Sequence, residues 1–526
     1  MANSNSTVDL ISLIESKFGD KVQIVKGVNG EALFAVNNGL HRDVLKAMID
    51  ADEKTGITAI TGLDLQATFG VLYHVHTAKS FFTIKAEVPR ENPTIQSVID
   101  IHPGAAFHEL EVTDLFGIVF EGNLLPGHFV LSENWPDGVY PLRKDVDPTK
   151  VQLVPTPERE ENKSAEGRLV KIIIGPQHPA LLEPEKFQVT VDGETVTKVE
   201  PRIGYVHRGI EKSAESHTYL QDVYLVERVC GICNPCHAYG FVGAAEKILK
   251  AEVPERAQYL RVIALELNRL HSHLLTLGHA GLEIGYETVF QYFWRDREPI
   301  MDIIELTSGN RIYGSLMTVG GVRRDLNPEH VPKIKSVLSD LRGKLPFYWK
   351  IYTDEPTLRL RMKDVGTLSR EEALNLAVVG PVARGSGVDM DVRKDLPYEA
   401  YGDIPFKEIV YPDGDTWARM NVRMDEVEES INIIEYALDH LPTGPIRIDA
   451  ARSIPVGEAV CSLEAPRGEL FYYVKSNGSD KPDRVKIRTP TYANIPAFLK
   501  TAIGESIADV PSNFVSLDPC FSCTDR

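Results

Sequence analysis

Two pairs of cysteines, each in a C-x-x-C arrangement, constrain the fold of this 526-residue chain more than any other feature of its sequence. Cys230 and Cys233 lie in the segment RVCGICNPCH, and Cys520 and Cys523 lie in the closing segment DPCFSCTDR. Thiolates three positions apart can bind one metal ion, so two such pairs offer four sulfur ligands. A fold that forms one site from them must bring together segments that lie far apart in the sequence.

The residue pattern alone leaves two kinds of metal site open, a structural zinc site and a redox metal site. Zinc ribbons place their pairs about fifteen to twenty residues apart, whereas most of the second half of this chain separates the two pairs. Ordinary buried cysteines explain two independent pairs poorly, and a dithiol oxidoreductase needs only one pair. In a reducing compartment, cysteines grouped in this way favour metal binding or catalysis over disulfides.

Length and composition are typical of a multidomain globular protein. A chain of 526 residues is too long to fold around a single hydrophobic core, so two or more domains are expected. Its residues are 43% hydrophobic and 25% charged. The formal net charge of −18 argues against nucleic-acid binding, which needs clustered Lys and Arg. The first residues show no basic, apolar or twin-arginine export pattern, and no apolar run is as long as a membrane span. We therefore expect a cytoplasmic chain.

Hydrophobic periodicity divides the chain into two domains and a linker. Residues 1–145 predict a small α/β domain, because two helical patterns and two strand-like runs occur there. Residues 146–168 are rich in proline and charge without periodicity, which predicts a linker. Residues 169–526 predict a second, mainly helical domain with small β elements. The predicted fold class is therefore α+β multidomain.

The second domain should be built around amphipathic helices. One apolar stripe with helical spacing is formed by Leu260, Ile263, Leu267, Leu270, Leu274 and Leu277. A second amphipathic helix is predicted within residues 425–441, before the segment PTGP ends it. We expect both helices to contribute to the core of this domain.

The cysteine pairs lie inside longer motifs. The segment RGIE, which ends at Glu211, precedes RVCGIC by sixteen residues, and the pattern D-P-C-x-x-C-x-x-R ends at Arg526. Together these motifs resemble the paired signatures of the large subunit of nickel-iron hydrogenases. Many relatives end in His. The Arg ending is similar to that of the group 4, energy-converting branch related to respiratory complex I.

The resemblance extends over nearly the whole chain. The segments FHELEVTDLFGIVF and SENWPDGVYPLRKD resemble the 30 kDa subunit of complex I, and GPQHP and YVHRGIEK resemble its 49 kDa neighbour. The fusion of both in one polypeptide is similar to the hydrogenase large subunit of formate hydrogenlyase. The resemblance implies a 30 kDa-like α/β domain joined to a mainly helical hydrogenase large-subunit domain. Complex I relatives lack the four cysteines, so the cysteines favour the hydrogenase branch.

The resemblance implies a nickel-iron centre with carbon monoxide and cyanide ligands on iron. Cys230 and Cys520 would be terminal ligands of nickel, and Cys233 and Cys523 would bridge nickel to iron. Soft thiolates suit nickel, and splitting hydrogen needs both a Lewis-acidic metal and a nearby base. The thiolate of Cys520 is the expected first base. Two metal ligands near the end of the sequence should make that segment buried and ordered.

Arg467, in EAPRGELF, matches the family arginine that overhangs the metals, with Pro466 lining the same pocket. The resemblance makes Arg467 a catalytic residue that orients hydrogen or donates to a cyanide. The alternative is an ion pair with Glu464 or Glu469. Thr491, in PTYANIP, would donate to another cyanide, and its alternative is a turn-capping role.

Four further residues are implied around the metals. Glu211 would act as a catalytic proton relay, or would support a neighbouring cluster through Arg208; an ordinary Glu–Arg pair is the alternative. His237 would donate to a bridging sulfur, with a bond to the backbone as the alternative. Asp518 belongs to the motif of the second cysteine pair and completes the set.

Other residues are given no metal-binding role. We expect Cys236 to be no ligand and Cys461 to be a buried core thiol. His178, in GPQHP, departs from the glutamate motif of the uptake branch, so protons should leave by another route. Arg526 replaces the histidine that binds a magnesium-type ion in other branches, so no such ion is expected.

The implied function is that of the catalytic subunit of a membrane-associated nickel-iron hydrogenase, which interconverts protons and hydrogen in anaerobic energy metabolism. Low-potential electrons would come from a 4Fe-4S cluster on an iron-sulfur small subunit, not on this chain. Further implied partners are a ferredoxin-like subunit, membrane ion-pumping subunits and a formate or carbon monoxide dehydrogenase. They would hold the chain at the cytoplasmic face of the membrane. The alternative is a quinone-reducing or structural complex I-type module with a zinc or empty four-cysteine site.

Overall fold

The computed structural model describes residues 5–26, 31–125, 127–155, 168–178 and 181–526. The greater part of the predicted linker, residues 156–167, lies outside the described residues. The α-helices are α1 Asn5–Phe18, α2 Leu40–Ala51, α3 Ala106–Phe116, α4 Ile210–Ala214, α5 Tyr219–Glu227, α6 Asn234–Leu249, α7 Glu255–Glu283, α8 Glu287–Ser308, α9 Val331–Asp354, α10 Pro356–Met362, α11 Arg370–Asn375, α12 Pro381–Arg384, α13 Val392–Asp395, α14 Thr416–Asp439, α15 Pro490–Thr501, α16 Val510–Ser516 and α17 Phe521–Asp525. The strands are β1 Val22–Lys26, β2 Ala32–Val36, β3 Gly56–Asp64, β4 Thr68–His76, β5 Phe81–Pro89, β6 Thr94–Gln96, β7 Val119–Glu121, β8 Leu169–Ile174, β9 Lys186–Asp192, β10 Thr195–Arg202, β11 Met317–Thr318, β12 Gly321–Val322, β13 Gly457–Ala465, β14 Gly468–Ser476 and β15 Pro482–Arg488.

The N-terminal unit is a mixed five-stranded sheet with helices packed on it, as the α/β prediction requires. The strand order is β1-β2-β5-β4-β3, with β2 and β5 parallel and the other neighbours antiparallel. The two predicted strands correspond to β4 and β5. Strand β3 was not predicted, because every residue in it is buried and its sequence lacks the alternation of a half-exposed strand.

Helix α7 lies at the centre of the second unit. All six residues of the predicted apolar stripe are buried, and α7 packs against α8 and α14. The second predicted amphipathic helix is the C-terminal part of α14. The fold therefore belongs to the predicted α+β multidomain class. No helix in the described part of the chain is long and apolar enough to cross a membrane.

The two units pack against each other through their sheets. The antiparallel sheet β13-β14-β15 meets β3–β5 in an apolar cluster in which Phe81 stacks on Phe471 with ring centroids 5.6 Å apart. A tight turn joins β13 to β14 and contains Pro466 and Arg467. Gly468 has a φ of +128°, and a Cβ there would lie 2.8 Å from the backbone nitrogen of Gly380. Only glycine fits this position, which fixes where Arg467 leaves the turn.

Candidate metal centre

The two C-x-x-C pairs meet in the interior of the second unit. The Sγ atoms of Cys230 and Cys520 are 3.5 Å apart, and those of Cys233 and Cys523 are also 3.5 Å apart. The Sγ atoms of Cys230, Cys520 and Cys523 lie within 4.8 Å of one another. All four side chains are buried. Four sulfurs from distant segments thus form one compact cluster, as expected for a thiolate metal site.

The first pair is shaped by its own loop. Cys230 follows α5, and Cys233 is the residue before α6. The backbone nitrogens of Ile232 and Cys233 donate to Cys230 Sγ at 3.2 and 3.3 Å. These short-range bonds would stabilise a thiolate at Cys230.

The second pair is held by residues from other parts of the chain. The backbone nitrogen of Cys520 donates to Thr491 Oγ1 at 3.1 Å, from the first turn of α15. Glu183 accepts a bond from the backbone nitrogen of Ser522 at 2.7 Å, and Arg208 donates to the Ser522 carbonyl at 2.7 Å. Apart from Ser522, which is half-buried, the segment from Cys520 to Arg526 is buried, as predicted.

Arg467 lies buried beside the second cysteine pair, with Pro466 buried next to it. Its Nε donates to the Asp518 carbonyl oxygen at 2.7 Å, and its Nη2 lies 2.8 Å from Asp518 Oδ1. Neither Nη1 nor Nη2 makes a hydrogen bond among the described residues, so the contact of Nη2 with Asp518 is an ion pair only. Glu464 and Glu469, the partners in the ion-pair alternative, are bound instead by other arginines. Burial lowers the pKa of Arg467, but Asp518 and the neighbouring cysteines raise it above the usual value. The guanidinium is therefore a fixed charge.

His237 contacts the cluster on its other side. Its Nδ1 lies 2.7 Å from the hydroxyl of Tyr472, and its Nε2 lies 3.6 Å from Cys523 Sγ. Burial lowers the pKa of His237 to about 4, an effect that the charge on Cys230 partly opposes. The neutral ring carries one proton. When Tyr472 donates to Nδ1, the ring proton is on Nε2. His237 can then donate to the Cys523 sulfur, which is the bond expected from the sequence.

The four thiols form a coupled group. The pKa of Cys230 is well below the usual value because Cys233, Cys520 and Cys523 donate to its sulfur. The pKa values of Cys233 and Cys520 are well above the usual value, chiefly because each thiol donates to Cys230. The pKa of Cys523 is also raised, and there burial is the largest cause. The cluster by itself favours one thiolate. A soft divalent metal would supply the positive charge that allows all four to ionise, so these residues fit such an ion.

Glu211 lies in a group of buried cations. Its Oε1 accepts from the backbone nitrogen of Ile487 at 3.0 Å, and its Oε2 lies 2.8 Å from Arg484 Nη1. Burial raises the pKa of Glu211, but Lys486, Arg484 and Arg526 lower it to about 2. This geometry favours the ion-pair alternative, and the relay role stays a prediction.

Arg208 forms no ion pair with Glu211 in the described residues. Its guanidinium donates to the carbonyl oxygens of Arg228 and Val229, both at 3.0 Å, as well as to Ser522. Arg208 thus connects the loop before Cys230 with the segment that carries the second pair. This bridging role was not predicted.

Sequence reasoning missed the acidic residues beside the second pair. Glu183 binds Ser522 and lies close enough to Cys520 for its charge to help raise that thiol's pKa. Burial and the neighbouring Asp525 raise the pKa of Glu185 to about 11, so Glu185 carries a proton at neutral pH. The only sign of these residues in the sequence is the pair of glutamates on either side of Pro184 in LLEPEKF. The sequence does not show which residues they contact.

The remaining cysteines and histidines lie outside the cluster. Cys236 is buried on α6, and Cys461 is a buried thiol on β13, as predicted. Both histidines of the LNRLHSHLL segment are buried on α7; His273 lies 2.7 Å from Glu426. The Nε2 of His271 lies 2.9 Å from the carbonyl oxygen of Ile232, next to the first cysteine pair.

Three family models match successive parts of the chain. The model of the 30 kDa subunit of respiratory-chain NADH dehydrogenase matches residues 34–152, and that of the 49 kDa subunit matches residues 283–455 and 448–526. The nickel-dependent hydrogenase model matches residues 208–280, which include the first cysteine pair.

Relatives from both groups cover most of the chain. The fused C/D polypeptide of the NADH-quinone oxidoreductase of Bacteroides fragilis is 37% identical over 479 residues, which are 87% of this chain and 90% of the relative. The chain belongs to the complex I-related family of fused C/D-type oxidoreductase subunits. Formate hydrogenlyase subunit 5 of Escherichia coli is 36% identical over 465 residues, 88% of this chain and 82% of the relative.

Hydrogenase and sulfur-reductase subunits match about two thirds of the chain. The alpha subunit of the membrane-bound hydrogenase of Pyrococcus furiosus is 41% identical over 373 residues, 68% of this chain and 87% of the relative. A chain of the archaeal membrane-bound sulfane sulfur reductase superimposes with a TM-score of 0.66 at 32% identity, covering 68% of this chain and 99% of that one. The chain is thus similar both to a subunit of a membrane-bound hydrogenase and to a chain of an archaeal respiratory membrane complex that reduces sulfane sulfur.

Proposed function

We propose that the chain is the catalytic subunit of a group 4 nickel-iron hydrogenase that interconverts protons and hydrogen. One observation carries the proposal: four buried cysteine sulfurs from two distant C-x-x-C segments approach one another in pairs at 3.5 Å. A module that reduces quinone has no need of this cluster. Similarity to the membrane-bound hydrogenase and formate hydrogenlyase subunits supports the same proposal.

The four cysteines would hold the metals. In this proposal Cys230 and Cys520 would bind nickel, and Cys233 and Cys523 would be ligands of both metals. Nickel, with iron carrying carbon monoxide and cyanide, would supply the Lewis acidity that weakens the covalent bond of molecular hydrogen. His237, 3.6 Å from Cys523, would donate to this bridging sulfur and stabilise its charge.

Arg467 would hold the reactants in place. Its Nε donates to the Asp518 carbonyl and its Nη2 forms an ion pair with the Asp518 carboxylate, while both Nη atoms are buried without a hydrogen-bond partner among the described residues. A buried donor of this kind costs about 1–3 kcal/mol unless something accepts its bond. A cyanide on iron is such an acceptor, and the fixed guanidinium would then orient hydrogen beside the metals. Thr491 binds the backbone of Cys520 and would keep that ligand in position.

Cys520 and Glu183 would carry the proton. The Cys520 sulfur would accept it first, and Glu183, which binds Ser522 two residues along the chain, is the acidic side chain next to it. Glu183 is half-buried, so it can exchange a proton both with the interior and with water. We propose Glu183 for the relay in preference to Glu211, whose carboxylate is neutralised by Arg484 and Lys486.

Electrons would reach the site from a partner chain. The cysteines that this proposal leaves unused, Cys236 and Cys461, lie apart and cannot hold a 4Fe-4S cluster. We propose an iron-sulfur small subunit as the donor, with a ferredoxin-like subunit and ion-pumping membrane subunits beside it. These subunits would hold the chain at the cytoplasmic face of the membrane. Formate or carbon monoxide would be oxidised by a further enzyme of the assembly.

Elemental analysis and infrared spectroscopy of the purified complex test the proposal. One nickel per chain, with bands from carbon monoxide and cyanide bound to iron, is the expected result. Stoichiometric zinc, or an empty cluster together with quinone-dependent turnover and no hydrogen exchange, would instead assign the chain to a quinone-reducing or structural complex I-type module.

A further inference from the structure

A buried carboxylate of the N-terminal unit contacts the segment that carries the second cysteine pair. Glu111, on α3, forms ion pairs with Arg526 through Oε1 and with Lys486 through Oε2, the latter at 2.6 Å. All three side chains are at most 2% exposed. Glu111 therefore links the two units at the last residue of the sequence.

Helix α17 depends on such contacts because it is too short to be stable alone. It spans only Phe521–Asp525, with Cys520 immediately before it and Cys523 within it. At its far end the guanidinium of Arg526 donates to the carbonyl of Ile487 and lies 5.0 Å from the ring of Tyr492. The position of the two cysteines is thus set by tertiary contacts at both ends of the helix.

Helix α3 supports this segment at a second point. The hydroxyl of Tyr492 donates to the carbonyl of Phe107 at 2.7 Å. Phe107 and Glu111 are four residues apart and so lie on the same face of α3. Thr491, next to Tyr492, accepts the bond from the Cys520 backbone. One face of α3 therefore contacts both Arg526, three residues after Cys523, and α15, whose Thr491 binds the backbone of Cys520.

The charges around Glu111 explain why its carboxylate matters. Arg484, Lys486 and Arg526 form a buried group of three cations, and Glu211 is their other carboxylate partner. Loss of the charge on Glu111 would leave these cations underneutralised in a medium of low dielectric constant. Removing one partner of a buried ion pair is strongly destabilising. We expect the largest structural effect at α17, because this short helix depends on tertiary contacts.

We propose that Glu111 of the N-terminal unit is a positioning residue, which holds α17 so that Cys520 and Cys523 face the first cysteine pair. The N-terminal unit is then part of the support of the metal centre. The inference rests on the proposed function only for the identity of the metal.

The test compares Glu111→Gln with Glu109→Gln in the full-length chain. Glu109 is an equally buried carboxylate on the same helix, but it binds Ser97 and the backbone of Val98 inside the N-terminal unit. Alkylation rates of the thiols are measured in chain prepared without metal, and nickel content is measured in the assembled complex. Trypsin separates the two pairs, because Val229–Lys247 contains the first pair and Thr501–Arg526 the second.

We expect Glu111→Gln to increase alkylation of the C-terminal peptide by about tenfold through local opening, and to reduce bound nickel. The Val229–Lys247 peptide should react at the wild-type rate. Glu109→Gln should leave both rates and the nickel content unchanged, even where it lowers the unfolding temperature. Equal alkylation in Glu111→Gln and the wild type, or the same acceleration of both peptides, would overturn the inference.

A second variant covers the case in which Glu111→Gln does not fold. Arg526→Gln removes the other partner and should accelerate the same peptide, whereas a wild-type rate would overturn the inference. The double variant should react no faster than the faster single variant, since both changes break one interaction. The alkylation rates do not depend on which metal the wild type binds. Zinc in the wild type would therefore refute the proposed function without deciding this inference.

Discussion

The two cysteine pairs are alike in sequence but are positioned in different ways. Cys230 and Cys233 lie in one loop between two helices, and backbone nitrogens of that loop point at the Cys230 sulfur. Cys520 and Cys523 lie at the start of and within a five-residue helix whose contacts come from distant segments. Among these are Thr491 and Glu183.

This difference indicates how the site is assembled. The first pair can take its shape as soon as α5 and α6 form, since its bonds are local. The second pair can take its place only after the rest of the second unit and α3 have folded. We therefore expect changes around the second pair to affect metal binding through distant contacts, and changes around the first pair to act locally.

The largest expected effect is the loss of a ligand from either pair. Cys520→Ser and Cys230→Ser should each abolish hydrogen-deuterium exchange, because a hydroxyl replaces a soft terminal thiolate. Exchange is measured by mass spectrometry of the evolved gas from the purified complex. Full exchange in either variant would contradict the assignment of that cysteine.

Arg467→Lys should reduce turnover by about one-hundredfold while the metals stay bound. An ammonium group can keep one bond to Asp518, but it cannot donate in the fixed directions of the guanidinium. Turnover and metal content are measured on the same sample. A parallel loss of metal would show that Arg467 supports the second pair instead of acting on the reactants.

The next largest effect is expected on the rate of proton transfer, in a comparison of Glu183→Gln with Glu211→Gln. Glu183→Gln should slow turnover about tenfold to one-hundredfold and increase the solvent isotope effect, because it removes the proposed proton carrier next to Cys520. Glu211→Gln is the comparison: it removes a carboxylate partner of Arg484 and Lys486, so it should lower stability and bound metal without increasing the solvent isotope effect. Slower proton transfer in Glu211→Gln, with normal rates in Glu183→Gln, would restore the relay predicted from the sequence.

The sequence was sufficient for the parts of the site that depend on local pattern. The cysteine spacing predicted the four clustered sulfurs, the stripe from Leu260 to Leu277 predicted the central helix, and the EAPRGELF motif predicted Arg467 beside the site. Each of these predictions rests on a local pattern: the spacing within a C-x-x-C pair, the helical spacing of apolar residues, or a short sequence motif.

The partners of the second pair could not be predicted in the same way. Glu183 and Glu111 gain their significance from contacts across 339 and 415 residues, to Ser522 and Arg526. No periodicity or local motif marks such partners, because they are selected by how the helices and sheets pack. The ion pair of Glu211 with Arg484 was missed for the same reason.

The smallest expected effect concerns the pH dependence of stability and involves a carboxyl group on α5, the helix before the first pair. Asp222, on α5, is buried without a hydrogen-bond partner among the described residues, and burial raises its pKa to about 8. Between about pH 4 and pH 8 the folded chain keeps this proton while the unfolded chain loses it, so stability falls as pH rises. Asp222→Asn should remove this slope.

The measurement is the free energy of unfolding of the metal-free chain in urea. Between pH 6 and pH 8 we expect the wild type to lose roughly 2 kcal/mol more than Asp222→Asn. Parallel curves for the two chains would show that Asp222 is ionised in the folded state. The alkylation rates of the second pair should be the same in both chains, since Asp222 has no hydrogen bond to that segment among the described residues.

X-ray absorption at the nickel edge of the purified complex counts the sulfur atoms around the metal, and so shows whether both cysteine pairs bind it. We expect nickel bound by four sulfurs, reduced to three in both Cys520→Ser and Cys230→Ser. A complex without nickel, or nickel whose sulfur count is unchanged by loss of one of the two cysteines, would contradict this expectation.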